Sequence, residues 1–132
     1  TKELGLEDVV YFGGTVSHHD VMKYTKMADV GILPWYSNPI TEVGTPNKLF
    51  ECTALEKPMI TSDTKAIHDL MKDSLIYFEP GSYEELAKAI LFAYNNPTEL
   101  KKMTKSAHKI YQNINWSVME KRLYNLYGDI TD

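Results

Sequence analysis

Four short apolar runs punctuate the chain: Val9-Val10-Tyr11-Phe12, Val30-Gly31-Ile32-Leu33-Pro34, Met59-Ile60-Thr61 and Leu75-Ile76-Tyr77-Phe78. Each has strand length and ends near turn residues, so each is expected to be a buried strand. Helical patterns lie between and after them. Ser17 is placed to cap a helix over His19–Met27, and Ala66–Met71 reads as a short helix. Ser82 caps a helix to about Asn95, with Glu85 at the capping-box position. Thr98 caps another from Glu99 to about Asn113, and Trp116–Tyr127 is a final amphipathic helix. Thr1–Leu4 reads as a helix tail closed by Gly5, and Trp35–Val43 as a loop without helical period. Short apolar strands separated by helices imply a parallel sheet covered on both faces. No internal repeat, low-complexity tract or interdomain linker is visible.

The segment from Gly44 to Asp63 carries the most chemistry. Gly44 loosens the backbone, Thr45 is a good N-cap, and Pro46 suits a first helical position because it has no N–H to leave unpaired. A helix starting there directs free N–H groups and the positive end of its dipole outward, a geometry that attracts phosphate. Glu51 follows Asn47 by four residues and shares its face. A carboxylate one turn behind a phosphate site is placed to accept hydrogen bonds from ribose hydroxyls. Leu49, Phe50, Thr53 and Ala54 cover the buried faces. Lys57-Pro58 ends the helix, and the strand at Met59 follows.

Bulk properties narrow the classes. The 132 residues allow one domain with a real core. A net charge of −4 without a basic tract argues against a nucleic-acid partner. Cys52 is the single cysteine, so no internal disulfide forms, a reducing cytoplasm fits, and a small buried residue is its expected role. No apolar run approaches membrane-spanning length. The chain begins at Thr1 without methionine, so the natural N-terminus is expected to lie upstream.

The Gly44–Asp63 segment resembles the donor site of retaining GT-B glycosyltransferases (family 4-like, glycosyl transferases group 1), which often reads (S/T)-P-x-K-L-x-E-x-x-A-x-x-K-P-h-I-x-S-D, with h apolar. Thr45, Pro46, Lys48, Leu49, Glu51, Ala54, Lys57, Pro58, Ile60, Ser62 and Asp63 match in register. Asp8–Gly13 is similar to the family's D-x-V-x-F-x-G segment, and Ala28–Pro34 to its A-D-V-x-h-x-P segment. Gly81–Ile90 resembles its last strand-to-helix step, and the closing Trp116-Ser117 helix is also familial. The resemblance covers nearly all of the chain. It implies an α/β fold, a Rossmann-like parallel sheet flanked by helices, forming part of the C-terminal donor-binding domain. Residues 1–132 would be one partial donor domain, with the acceptor domain and the first two donor-domain strands absent. In the usual strand order 3-2-1-4-5-6 those two strands are central. A gap of that kind would be filled by a neighbouring chain, closed by direct pairing of Val9–Phe12 with Val30–Pro34, or explained by a longer parent polypeptide. The last is the expectation.

The resemblance also implies an activity: transfer of a hexose-type sugar, with retention, from a nucleoside-diphosphate donor to a glycan or lipid-linked acceptor. Gly14, Thr15, Val16, Gly44, Thr45, Pro46, Asn47, Lys48 and Glu51 would bind the donor. In strict register Val43 occupies the first position of the family's paired-glutamate motif, and Glu42, nine residues before Glu51, is the candidate catalytic carboxylate. No cofactor or metal is expected. His18 and His19 read as surface or supporting residues, and His68 and Asp69 as helix surface. Trp35 and Tyr36 either line the sugar or acceptor pocket or cover the sheet end. The implied partners are the nucleotide-sugar, the missing N-terminal acceptor domain and, in the short form, a second copy of the chain. The implied location is cytoplasmic or peripheral at the inner face of the membrane, reached only through the acceptor or the missing domain. A non-catalytic nucleotide-binding or assembly module of the same fold is the alternative. A sugar-nucleotide epimerase of this architecture would need a cleft set of acids and histidine that the segment does not display.

Overall fold

The computed structural model describes the backbone of residues 1–131 and the side chains of residues 1–128. Three strands, β1 (Gly31–Leu33), β2 (Met59–Ser62) and β3 (Ile76–Phe78), form a parallel sheet in that order. Ile32 faces Ile60 across the first pair, and Thr61 faces Tyr77 across the second. The described residues also form six α-helices: α1 (His18–Met27), α2 (Asn47–Ala54), α3 (Lys65–Met71), α4 (Tyr83–Asn95), α5 (Pro97–Ile114) and α6 (Trp116–Thr131). This is the α/β architecture expected from the alternation of runs and caps.

Every residue of β2 is buried, as a middle strand covered on both faces requires. On one face Leu33, Leu49, Cys52, Met59, Ile67, Met71, Leu75 and Ala107 form a core beneath α2, α3 and α5. On the other, Ile60, Ile76, Phe78, Ala89 and Ala93 pack under α4. Burying Leu49 and Ile67 completely contributes about 1.5–3 kcal/mol each before entropy is counted. Cys52 is buried as expected, and burial pushes its thiol up, as does the neighbouring Glu51 charge. Gly31 is required by this packing, because a Cβ there would stand 2.9 Å from Cys52 Sγ.

The Val9–Phe12 run differs from expectation. It forms no strand and does not pair with β1. The N–H groups of Val9 and Val10 instead donate back to the Leu6 carbonyl, and Val9, Tyr11 and Phe12 are exposed. An apolar run becomes a strand only beside a sheet edge that offers backbone partners. Among the described residues β1 pairs with β2 alone, so its other edge is open.

Several helix starts also shift. Ser17 caps α1 as expected, accepting from Asp20 N. Ser82 likewise accepts from Glu85 N, but the Glu85 carboxylate pairs with Lys88, leaving the capping box half formed. α5 begins at Pro97 with Asn96 at its boundary, earlier than a Thr98 cap predicts, because proline suits the first position. Thr1–Leu4 contains only a 3-10 turn at Lys2–Leu4, closed by left-handed Gly5. On α6, Trp116, Leu123, Leu126 and Tyr127 are exposed, so the helix packs on α5 without burying most of its apolar stripe.

Candidate donor site at the amino end of α2

The loop leaving β1 ends at Gly44-Thr45-Pro46, and α2 begins at Asn47. Pro46, not Thr45, is the boundary residue, in an extended conformation, and it supplies no side-chain cap. Leu49 N–H donates to the Pro46 carbonyl at 3.0 Å. The helix therefore opens with no capping side chain over its first N–H groups, where an acceptor from elsewhere fits. Gly44 is glycine for a steric reason that the sequence does not reveal. A Cβ there would lie 2.9 Å from the Ile40 carbonyl oxygen.

Lys48 and Glu51 project from the first turns of α2. Lys48 Nζ lies 2.8 Å from Glu51 Oε2. The Glu51 side chain is only 16% exposed while that of Lys48 is half exposed. On the other side of the carboxylate, His18 Nδ1 is 3.9 Å from Glu51 Oε1. α1 packs on α2, and the Gly14-Thr15-Val16 segment immediately precedes the Ser17 cap of α1. The fold thus gathers His18 at the start of α1, Lys48 and Glu51 at one place. His18, read from the sequence as a surface or supporting residue, is 79% exposed and still approaches Glu51. Its approach depends on how two helices cross, which no local pattern records.

Glu42 sits elsewhere in the same loop. Its carboxylate accepts from Ser37 Oγ and from Lys65 N, the latter at 2.9 Å. These bonds, the Ser37 one foremost, hold its carboxyl below the usual glutamate range. Trp35 is partly buried against the α2–α3 core, while Tyr36 is exposed over Gly81, where it lines a cleft of about 220 Å³ with Pro34, Phe78 and Tyr83.

Two further histidines acquire partners. His68 Nδ1 lies 2.6 Å from Asp63 Oδ1, and the ring stacks on Tyr77 at 4.7 Å. His108 Nδ1 is 2.9 Å from the Thr53 carbonyl and ties α5 to the end of α2. Asp69 is surface, as expected, paired with Lys65. No group of three or more His, Cys, Asp or Glu side chains among the described residues is arranged to hold a metal ion. No described helix is long and apolar enough to cross a membrane.

Comparisons with known proteins bear on the family and the fold. Residues 1–110 match the family described as Glycosyl transferases group 1. A Bacillus subtilis (strain 168) protein named as the teichuronic acid biosynthesis glycosyltransferase TuaC is 35% identical over 78 residues, spanning 58% of this chain and 19% of that protein. Sucrose-phosphate synthase from Thermosynechococcus elongatus superposes with a TM-score of 0.82 at 22% identity, covering 98% of this chain and 32% of that one. The fold is that of a Rossmann-like domain of the GT-B type. The match spans about a fifth of the curated relative and about a third of the synthase.

Proposed function

This chain belongs to the glycosyl transferases group 1 family, and from that premise we propose that it is the donor-nucleotide-binding part, in the C-terminal domain, of a retaining GT-B enzyme. The enzyme moves a hexose-type sugar from a nucleoside-diphosphate donor to a glycan or lipid-linked acceptor. One observation supports the reading: the amino end of α2 carries no side-chain cap, and its Lys48–Glu51 pair is approached by His18 from α1.

The roles follow from chemistry. The leaving group is a nucleoside diphosphate, whose charge grows as the glycosidic bond breaks. Backbone N–H groups at Thr45, Asn47 and Lys48, with the helix dipole, stabilise that charge, and Lys48 adds a cation. Gly44 and Pro46 give the loop the shape that presents those groups. Glu51 has one oxygen on Lys48 and accepts ribose hydroxyls with the other. That fixes the register of the reacting carbon. Gly14, Thr15 and Val16 border the nucleobase. The reading assigns no metal or other cofactor. The helix end and Lys48 take the charge-neutralising role.

The open edge of β1 and the unpaired Val9–Phe12 run support a parent polypeptide that supplies two strands between them and an N-terminal acceptor domain. Without these no water-excluding cleft closes, so the isolated chain transfers no sugar. The reaction belongs to the cytoplasmic side, with membrane contact only through the acceptor or the remaining domains. Incubating the parent protein with uridine and guanosine diphosphate hexoses tests the reading. Release of nucleoside diphosphate, with a product of unchanged anomeric configuration, is expected. Inversion overturns the retaining assignment, and no release from any donor overturns the transferase assignment.

A further inference from the structure

One side chain locks the loop between β1 and α2. Within the loop, Glu42 accepts from Ser37 Oγ, and Glu42 N–H donates to the Asn38 carbonyl at 3.0 Å. Outside the loop, its second carboxylate oxygen accepts from Lys65 N at 2.9 Å, and its backbone carbonyl accepts from Ala66 N at 3.1 Å. Both amides belong to the first turn of α3. Thr64 stands in the position that normally caps that turn, yet it makes no side-chain cap, and its Oγ1 is buried without a partner. The capping function has passed from the adjacent threonine to a glutamate in another connection. An anion suits that place, because the helix start carries positive partial charge. The rest of the loop is already stiff. Asn38 Oδ1 accepts from Ile40 N and Thr41 N, and Thr41 Oγ1 donates to the Tyr36 carbonyl. The Glu42 clasp is what anchors this stiff unit to the body of the sheet, five residues before α2 begins.

We infer that Glu42 is a positioning residue: by clasping the β1–α2 loop to the first turn of α3, it sets where the amino end of α2 and Glu51 stand. The inference rests on the donor-site reading above, and departs from a role for Glu42 in contact with the reacting sugar. A carboxylate with both oxygens committed to Ser37 and Lys65 has its geometry fixed by structure, not by a substrate.

Three variants test this: Glu42→Ala, Glu42→Gln and Ser37→Ala. Hydrogen exchange at the Lys65 and Ala66 amides reads the clasp itself, without any substrate. Nucleoside-diphosphate-hexose kinetics in the parent protein read its consequence. Glu42→Ala is expected to speed Lys65 exchange roughly tenfold, as loss of a charge-assisted hydrogen bond implies. It should raise the donor KM while kcat stays within about twofold, since only an interaction shared by ground and transition states is lost. Glu42→Gln keeps an amide oxygen for Lys65 N and should restore most of both, with Ser37→Ala in between. Unchanged Lys65 exchange in Glu42→Ala overturns the clasp. A Glu42→Gln protein with normal exchange and donor KM but lost kcat overturns the inference by making Glu42 a reacting group. If the wild type binds no nucleoside diphosphate, the functional reading and the consequence for the donor fail together, and exchange alone decides the clasp.

Discussion

His18 Nδ1 lies 3.9 Å from Glu51 Oε1, joining the first residue of α1 to the middle of α2. The other Glu51 oxygen is held by Lys48 at 2.8 Å. One largely buried carboxylate thus stands between a lysine and an imidazole, where the start of α1 meets α2.

Glu51→Ala is expected to weaken nucleoside-diphosphate-sugar binding by about 1–3 kcal/mol, the cost of leaving polar partners unpaired. Stability should change by less than about 1 kcal/mol, because Lys48 is half exposed and its pair is well screened. Calorimetric titration and chemical denaturation separate the two effects. Equal donor affinity for variant and wild type removes Glu51 from the site.

Gly31→Ala should destabilise the chain by about 1–3 kcal/mol, since its Cβ would lie 2.9 Å from Cys52 Sγ. Cys52→Ala removes the obstructing sulfur. The double variant should therefore be more stable than the sum of the singles predicts, by about 0.5–3 kcal/mol. Strict additivity in urea denaturation would show that α2 does not press on β1 at this point.

The pH dependence has two sides. Lys23 and Ser17 hold the Asp20 carboxyl below its ordinary value, Ser37 and Lys65 do so for Glu42, and Lys65 does so for Asp69. A depressed carboxylate contributes stability that is present above its unfolded pKa and lost as pH falls through the folded value. Lys65 is raised by Asp69, Lys88 by Glu85, and Tyr77 by burial. These contributions are complete below the unfolded values and disappear as pH rises through the folded ones. Stability against urea should be level between about pH 5 and 9 and fall on both sides. In Glu42→Gln the acid-side fall should be shallower. An acid limb identical to wild type contradicts the Glu42 bonds.

Much of this was legible because it is local. The runs at Val30, Met59 and Leu75 became strands, and the Ser17 and Ser82 caps formed, because periodicity and capping act over a few residues. Val9–Phe12 has the same apolar pattern but pairs with no strand among the described residues, and sequence pattern records the capacity for burial, not the presence of a partner. Gly44 was legible as a glycine but not as a steric necessity set by Ile40. The His18–Glu51 approach, the Asp63–His68–Tyr77 cluster and the Glu42 clasp on α3 each join separate elements or their connecting loops. Only the packed sheet brings them together.

The central claim is that a nucleoside diphosphate binds at the amino end of α2, and an amide chemical-shift titration tests it most directly, because it detects weak binding and reports its location. With uridine diphosphate, and separately guanosine diphosphate, the largest shifts for at least one nucleotide should fall at Thr45, Asn47, Lys48 and Glu51. A second group should appear from Gly14 to His18, and both should collapse in Glu51→Ala. Absence of shifts with both nucleotides, or shifts centred on the cleft beside Pro34, Tyr36 and Tyr83, would contradict the account.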